Sequence, residues 1–560
     1  MSAHTDIIVI GAGLSGMVAA LEAHQRGKRV VIVDQEGPQS LGGQAFWSFG
    51  GLFLVNSPEQ RRLGIRDGAE LAWSDWQATA GWDRLTGAHA DDEWAQQWGH
   101  AFVEFAAGDM REWLRRHGIA LTPVVGWAER GGATADGHGN SVPRFHVPWG
   151  TGTGITQPIA ARIEQAVSTG RMRIAHRHRV DELIVQDGAV VGVSGVVLEQ
   201  DPAARGVSTS RTPVQDFTVH ASAVVVCSGG IGGDHTLVRE RWPQRLGTPP
   251  KSMVTGVPAH VDGRMLGIAA KAGGRLVNED RMWHYTEGIR NWNPIWPGHG
   301  IRILPGPSPL WLDALGRRLP SPALPGFDTL HTLRHLRTTP DLAEHDHSWF
   351  IMTKRMAAKE IALSGSEQNP DITNRDYRLM ARTRLGGRLP GPVSDFIRHG
   401  RDFVTADSVD TLVRRMNAVE NDDLLAVATV QRQLRARDLQ LRNGFTKDAQ
   451  IMTIRNARRS RADRMTRVTP LRRMLDAAEG PLVGIRLHTL TRKSLGGLQT
   501  DLSGRVLGYG GEVVPGLYAA GEASGFGGGG MHGYRALEGT FLGGCIFTGT
   551  RAGQGATAAL

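Results

Sequence analysis

The chain has 560 residues, 40% hydrophobic and 21% charged, which describes a soluble, core-forming protein of several domains and excludes a small binding module. Cys227 and Cys545 are its only cysteines, so a disulfide framework, a cysteine zinc site, an iron–sulfur cluster and a C-x-x-C-H haem attachment are excluded, and no metal is expected. The net charge of +9 rests on 64 lysines and arginines of which only seven are lysines, so arginine-rich composition accounts for it and no nucleic-acid partner is expected.

No stretch reaches the ~18 consecutive apolar residues of a membrane helix, and the chain enters a strand by Ile7 without a basic, apolar leader, so a cytoplasmic protein without a membrane span is expected. The run D-I-I-V-I at 6–10 reads as a short buried strand, followed by G-A-G-L-S-G at 11–16 and a small-residue helix that ends at Gly27. Gly11 permits the tight turn, Gly13 lets the backbone approach a pyrophosphate, and Gly16 lets the helix pack on the sheet, with Ala12 and Ser15 between them. The second strand, R-V-V-I-V, closes with Asp34, placed to accept both hydroxyls of a ribose. Gln35 follows where an arginine would suit a 2′-phosphate, so NADP is disfavoured while NAD and FAD both fit.

Further along, S-L-G-G-Q-A-F-W-S-F-G-G at 40–51 is a loop with two pairs of glycines, 154–166 reads as an amphipathic helix, and 179–193 as a hairpin turned by Asp187-Gly188. The strand V-V-V-C-S-G-G at 224–230 again ends in paired glycines. From 291 a Trp- and Pro-rich stretch opens a mostly helical region, for example 408–419. Basic residues crowd 432–473, but acids and apolar residues interleave at helical spacing, which favours a solvated face over an RNA site. Near the end, P-G-L-Y-A-A-G-E-A at 515–523 is an apolar strand reaching Gly521 and Glu522; a glycine-rich stretch and a helix from Thr540 follow.

A second nucleotide-facing strand so far from the first resembles the FAD-binding flavoproteins of the fumarate reductase and succinate dehydrogenase group, with similarity over about 5–285 and 484–553. The resemblance implies an α/β fold: a Rossmann-like FAD-binding domain of the glutathione-reductase type from 1–285 and 484–560, with an α+β substrate or cap domain inserted at 286–483. It implies that Gly42, Gly43, Gln44, Ser48, Gly50 and Gly51 follow the pyrophosphate and flavin edge; position 46 is Phe. It places Val180 at the adenine, Cys227, Ser228 and Gly229 at the family's A-T-G-G strand end, and Asp262 at its G-D-G-x-x-M helix start. Gly521 and Glu522 would meet the ribityl chain, and Thr540, Phe541 and Leu542 would begin a helix aimed at the flavin pyrimidine. Gln44 stands where succinate dehydrogenases carry the histidine linked to FAD, which implies non-covalent FAD.

Fumarate is not the implied substrate, because the family's H-T-M-G-G is K-S-L-G-G at 493–497 and the proton-carrying acid and arginine are missing after 316. The pattern is similar to the 3-ketosteroid dehydrogenases, which oxidise a C–C bond beside a carbonyl using an acid that polarises the ketone, a base that removes the α-proton, and hydride transfer to flavin N5. Among five tyrosines, Tyr285 and Tyr534 fall at the domain borders and are the candidates for acid and base. Arg535 is the cation expected to lower Tyr534, and His284 and His532 are alternatives. The expected substrate is a small molecule, bulky and apolar, in a pocket suited by Trp292, Trp296 and Trp311; the electron acceptor is a diffusible compound or partner that the sequence does not name. Two other readings stand beside this one: a reductase of another enoate, if Arg317, Lys493 and Arg535 converge, and an RNA-associated flavoprotein using the basic helices.

Overall fold

The computed structural model describes residues 4–86, 90–127, 129–131, 139–384, 388–535, 537 and 539–560. Strand β1 (His4–Ile10) is buried on both faces from Ile7 to Ile10, the signature of a parallel strand covered by helices on either side. Helix α1 (Leu14–Gln25) carries the chain over to β2 (Val30–Asp34), which pairs in parallel with β1, and α2 (Thr153–Ser168) leads to β3 (Met172–His176), parallel to β2. Strands β4 (His178–Gln186) and β5 (Ala189–Leu198) form the expected hairpin. Its turn residues Asp187 and Gly188 have φ of 50° and 78°, the positive values a two-residue turn of this kind demands.

The long β6 (Pro213–Val226) joins this hairpin to the other side of β1. A second sheet then begins with β7 (Met282–Arg290), β8 (Gly300–Pro305), β9 (Leu310–Leu312), β10 (His347–Thr353), β11 (Ile361–Leu363) and β12 (Phe403–Ala406). Strand β13 (Leu482–Ser494) closes it, giving the order β9-β10-β13-β7-β8-β11, with β12 and the short strand Val254–Thr255 paired to β13 as well. The chain then returns to the first sheet: β14 (Arg505–Leu507) and β15 (Val513–Ala519) complete the order β14-β15-β6-β1-β2-β3. The α/β architecture is the one expected.

The divisions expected at 285/286 and 483/484 fall inside β7 and β13, both of the second sheet. By sheet membership we propose that the whole of β7 and β13 go with the second sheet, which puts the junctions near 281 and 494. Hydropathy does not mark them, because β7 and β13 are as thoroughly buried as any strand of the first sheet. Helix α3 (Thr540–Ala558) closes the fold against α1; a Cβ at Gly549 would stand 2.6 Å from the Ser15 carbonyl oxygen and one at Gly553 2.5 Å from that of Ala19, so only glycine permits this approach.

Candidate active site

A cleft partly open to solvent runs from the ends of β1 and β2 to β7 and the start of α3. At one end Gly11 turns with φ of 101°, where a Cβ would meet the Cys227 carbonyl oxygen at 2.6 Å. A Cβ on Gly13, by contrast, meets no protein atom within 4 Å, and Gly13 lines the cleft, so a ligand has free approach to the backbone there. No side chain caps the N-terminus of α1, leaving its first N–H groups to bind an anion. Asp34 accepts hydrogen bonds from the backbone N–H groups of Ala12 (2.6 Å) and Glu36 (2.7 Å), which fix its carboxylate at the cleft wall; burial raises its pKa.

Gln35, Gly42, Gly43, Gln44, Ser48, Gly50 and Gly51 line the same wall. Val180, Cys227, Ser228, Gly229 and Asp262 line the cleft as well, as do Ser15, Glu522, Phe541 and Leu542. Four of the residues expected at the cofactor do not face the cleft. The Ala12 N–H is spent on Asp34, Gly16 is packed under the Gly11 carbonyl, Gly521 is packed on Ser15, and the Thr540 hydroxyl bonds to His532 Nε2 at 2.8 Å. Their place is one layer behind the surface. Dinucleotide chemistry fits this set: an uncapped helix N-terminus, an open glycine cradle and a carboxylate at the end of β2.

Glu522 is fully buried, with the Ser494 N–H donating to Oε1 at 2.8 Å and Gln44 Nε2 donating to Oε2. Burial outweighs these donors and pushes its carboxyl up to about 7. Below its ordinary value of 4.5 the group is protonated whether the chain is folded or not; between there and about 7 the fold must either hold a proton or bury a charge, so stability is lost as pH rises through that window. Thermal melts of the flavin-free protein are therefore expected to show wild type losing ground to Glu522→Gln between pH 5 and 8, by on the order of 1 to 3 kcal/mol. Parallel profiles for the two proteins would contradict it.

At the other end of the cleft, Tyr285 of β7 is 3% exposed and lines the wall. Lys493 of β13 donates from Nζ to the Tyr285 hydroxyl at 2.7 Å, and the Arg302 guanidinium of β8 lies 3.8 Å from the centroid of the Tyr285 ring. The Lys493 ammonium also sits 3.6 Å from the centre of the Phe541 ring, at the N-terminus of α3. Two cations thus converge on one phenol beside the start of a helix. Phe49, Phe145 and Leu304 supply an apolar wall to the same cleft, and Ser364 and Arg492 complete it.

The remaining sequence candidates lie elsewhere. Tyr534 is half-buried, with the Arg245 guanidinium 4.7 Å above its ring, and does not line the cleft. Arg535, expected as its partner cation, turns instead to Asp328 at 2.7 Å, an ion pair at most 3% exposed on either side. His284 is stacked on Trp242 with ring centres 5.0 Å apart, and burial pushes its pKa down to about 3. Neither it nor Arg535 lines the cleft. Trp311 packs in the second sheet against Phe350, Trp296 against His299 and Trp47, and Trp292 is exposed, so none of the three tryptophans forms the substrate wall. Arg302, Phe49, Phe145, Leu304 and Ser364 were not foreseen; a lone arginine in the strand I-R-I-L, or a phenylalanine in a loop, carries no chemical signature until its neighbours are known.

Comparison with known proteins agrees with this geometry. Residues 6–542 match the family described as FAD binding domain. The chain is 58% identical to a KsdD-like steroid dehydrogenase of Mycolicibacterium smegmatis, over 99% of both chains, and 56% identical to one of Mycobacterium tuberculosis, over 98% of this chain and 95% of that protein. Among solved structures, the 3-ketosteroid delta1-dehydrogenase of Sterolibacterium denitrificans superposes over 100% of both chains with a TM-score of 0.65 at 16% identity, a likeness of fold. A cleft built for a dinucleotide, a family match over nearly the whole length and full-length relatives at this identity lead to one conclusion: the chain is a flavoprotein of the FAD-binding-domain family and belongs, within it, with the KsdD-like steroid dehydrogenases.

Proposed function

We propose that this protein dehydrogenates the carbon–carbon bond next to the carbonyl of a 3-ketosteroid, or of a ketone of similar bulk and apolarity, with Tyr285 as the proton acceptor. The observation that carries the reading is the contact of the Tyr285 hydroxyl with Lys493 Nζ in the wall of the cofactor cleft. A phenol is a poor base at neutral pH, but an ammonium donating to its oxygen favours the phenolate, while the Arg302 guanidinium over its ring is shared with Glu287. Tyr285 then takes the α-proton, and Lys493 and Arg302 hold the resulting hydrogen-bonded phenol in place. Phe49, Phe145, Leu304 and Phe541 seat an apolar ring system and keep water from the reacting carbon. When bound, FAD supplies the hydride acceptor. The uncapped N-terminus of α3 turns its positive end toward the cleft, where negative charge is stabilised. Gln44 bonds to Glu522 and offers no ring nitrogen for a covalent link, which supports FAD held without one.

The names of the relatives at 56% and 58% identity support the steroid substrate. An enoate reductase would need Arg317, Lys493 and Arg535 around one ligand. Arg317 is instead bound to Asp313 and Asp341 on a half-exposed surface, and Arg535 to buried Asp328, so only Lys493 of the three faces the cleft.

Anaerobic rapid mixing with a panel of 3-ketosteroids, acyl compounds and enoate acids tests the proposal. Saturated 3-ketosteroids are expected to bleach the oxidised flavin. Should none of them do so, while enoate acids rapidly reoxidise the reduced enzyme, the reductase reading would replace it.

A further inference from the structure

Helices Val427–Gln440 and Ala449–Ala457, with the turn between them, present an unusual surface. From 427 to 463 the exposed charged side chains are Arg432, Arg435, Arg442, Lys447, Arg459 and Arg461, all cationic. The three acids of this stretch are withdrawn: Asp438 is buried beside Arg437, Asp448 is paired with Arg318, and Asp463 with Arg130. Among these cations stand large apolar side chains in water: Phe445 is 95% exposed, Leu439 68% and Met452 53%. Arg455 ties the second helix to the turn that carries Phe445 through the Leu441 and Asn443 carbonyls.

We infer that this face docks the protein on the surface of an anionic lipid bilayer. Basic side chains with interspersed phenylalanine, leucine and methionine match an interface where headgroup charge lies over hydrocarbon. The same face does not suit a second copy of this chain, because a symmetric contact would set cation against cation. RNA would meet the charge but would leave Leu439 and Met452 in water and find one aromatic ring to stack on. No helix among the described residues is long and apolar enough to cross a membrane, so the attachment is peripheral.

Flotation of the flavin-loaded enzyme with vesicles of phosphatidylcholine alone, or with one third phosphatidylglycerol, tests this. Binding is expected only to the anionic vesicles and is expected to fall steeply as salt rises. Reversing three charges (Arg435→Glu, Arg442→Glu, Lys447→Glu) should lower the partition coefficient by at least about 100-fold, since each basic residue near such a surface contributes about fivefold. Phe445→Ser alone should lower it by roughly tenfold. Both variants should retain flavin and melting temperature, because every substituted residue is exposed. Absence of binding to anionic vesicles at low salt overturns the inference. So does tighter binding to a homopolymer RNA that Phe445→Ser leaves unchanged, which would make the face a nucleic-acid site. A concentration-dependent dimer abolished by Phe445→Ser, without lipid binding, would assign it to a second copy.

Discussion

Replacing Tyr285 by Phe should leave a yellow, folded enzyme that binds its ketone but reduces its flavin slower by a factor on the order of 10² to 10⁴, the usual contribution of a positioned acid or base. The ring keeps its packing under Arg302, and only the oxygen that meets Lys493 is removed. Lys493→Met is the companion. It leaves the phenol but withdraws the cation that favours its ionised form, so the rising limb of the pH-rate profile should move to higher pH while the rate at its plateau is largely kept. Tyr534→Phe serves as the comparison, with a flavin-reduction rate close to wild type, because its ring lies under Arg245 and outside the cleft. Rapid-mixing absorbance at several pH values separates the three. If Tyr534→Phe were slowed as strongly as Tyr285→Phe was expected to be, and Tyr285→Phe were not, the base would have to be reassigned.

The cofactor end of the cleft was largely legible in the sequence because it is built from local segments: a strand, a glycine turn, a helix and a second strand ending in Asp34 within the first 34 residues. Gly16 answers to the Gly11 carbonyl a few residues away and Gly11 to one adjacent strand, while Gly13 is left open. The reacting end is different. Tyr285 and Lys493 are 208 residues apart and meet only because β7 and β13 run side by side, with Trp283 opposite Lys493 and a register shift before Tyr285. Strand registry of that kind leaves no trace in either segment alone. Tyr534 looked attractive for the opposite reason: Arg535 is its neighbour in sequence, but consecutive side chains in this turn diverge, one to Arg245 and the other to Asp328. The same limit bears on the junctions between the sheets, since a buried strand reads alike in either.

Two glycines of one motif should fail in different ways. Gly13 has φ of −70° and ψ of 179°, an extended conformation any residue adopts, and a Cβ there would meet no protein atom within 4 Å. Gly13→Val should therefore fold and melt at nearly the wild-type temperature of the flavin-free protein while losing FAD, because its methyl groups occupy the path by which a pyrophosphate reaches the start of α1. A rise of about 10²-fold or more in Kd, equivalent to about 2.7 kcal/mol, is expected. Gly16 faces the other way. A Cβ on it would lie 1.9 Å from the Gly11 carbonyl oxygen, a backbone atom with nowhere to move, so Gly16→Ala must push α1 off the strand-turn unit and should destabilise the flavin-free protein itself by on the order of 1 to 3 kcal/mol. Melting curves and flavin titrations on the two variants decide the matter. A Gly13→Val protein that holds FAD as tightly as wild type would mean that the dinucleotide does not cross this turn, and the whole assignment of the cleft would have to move with it.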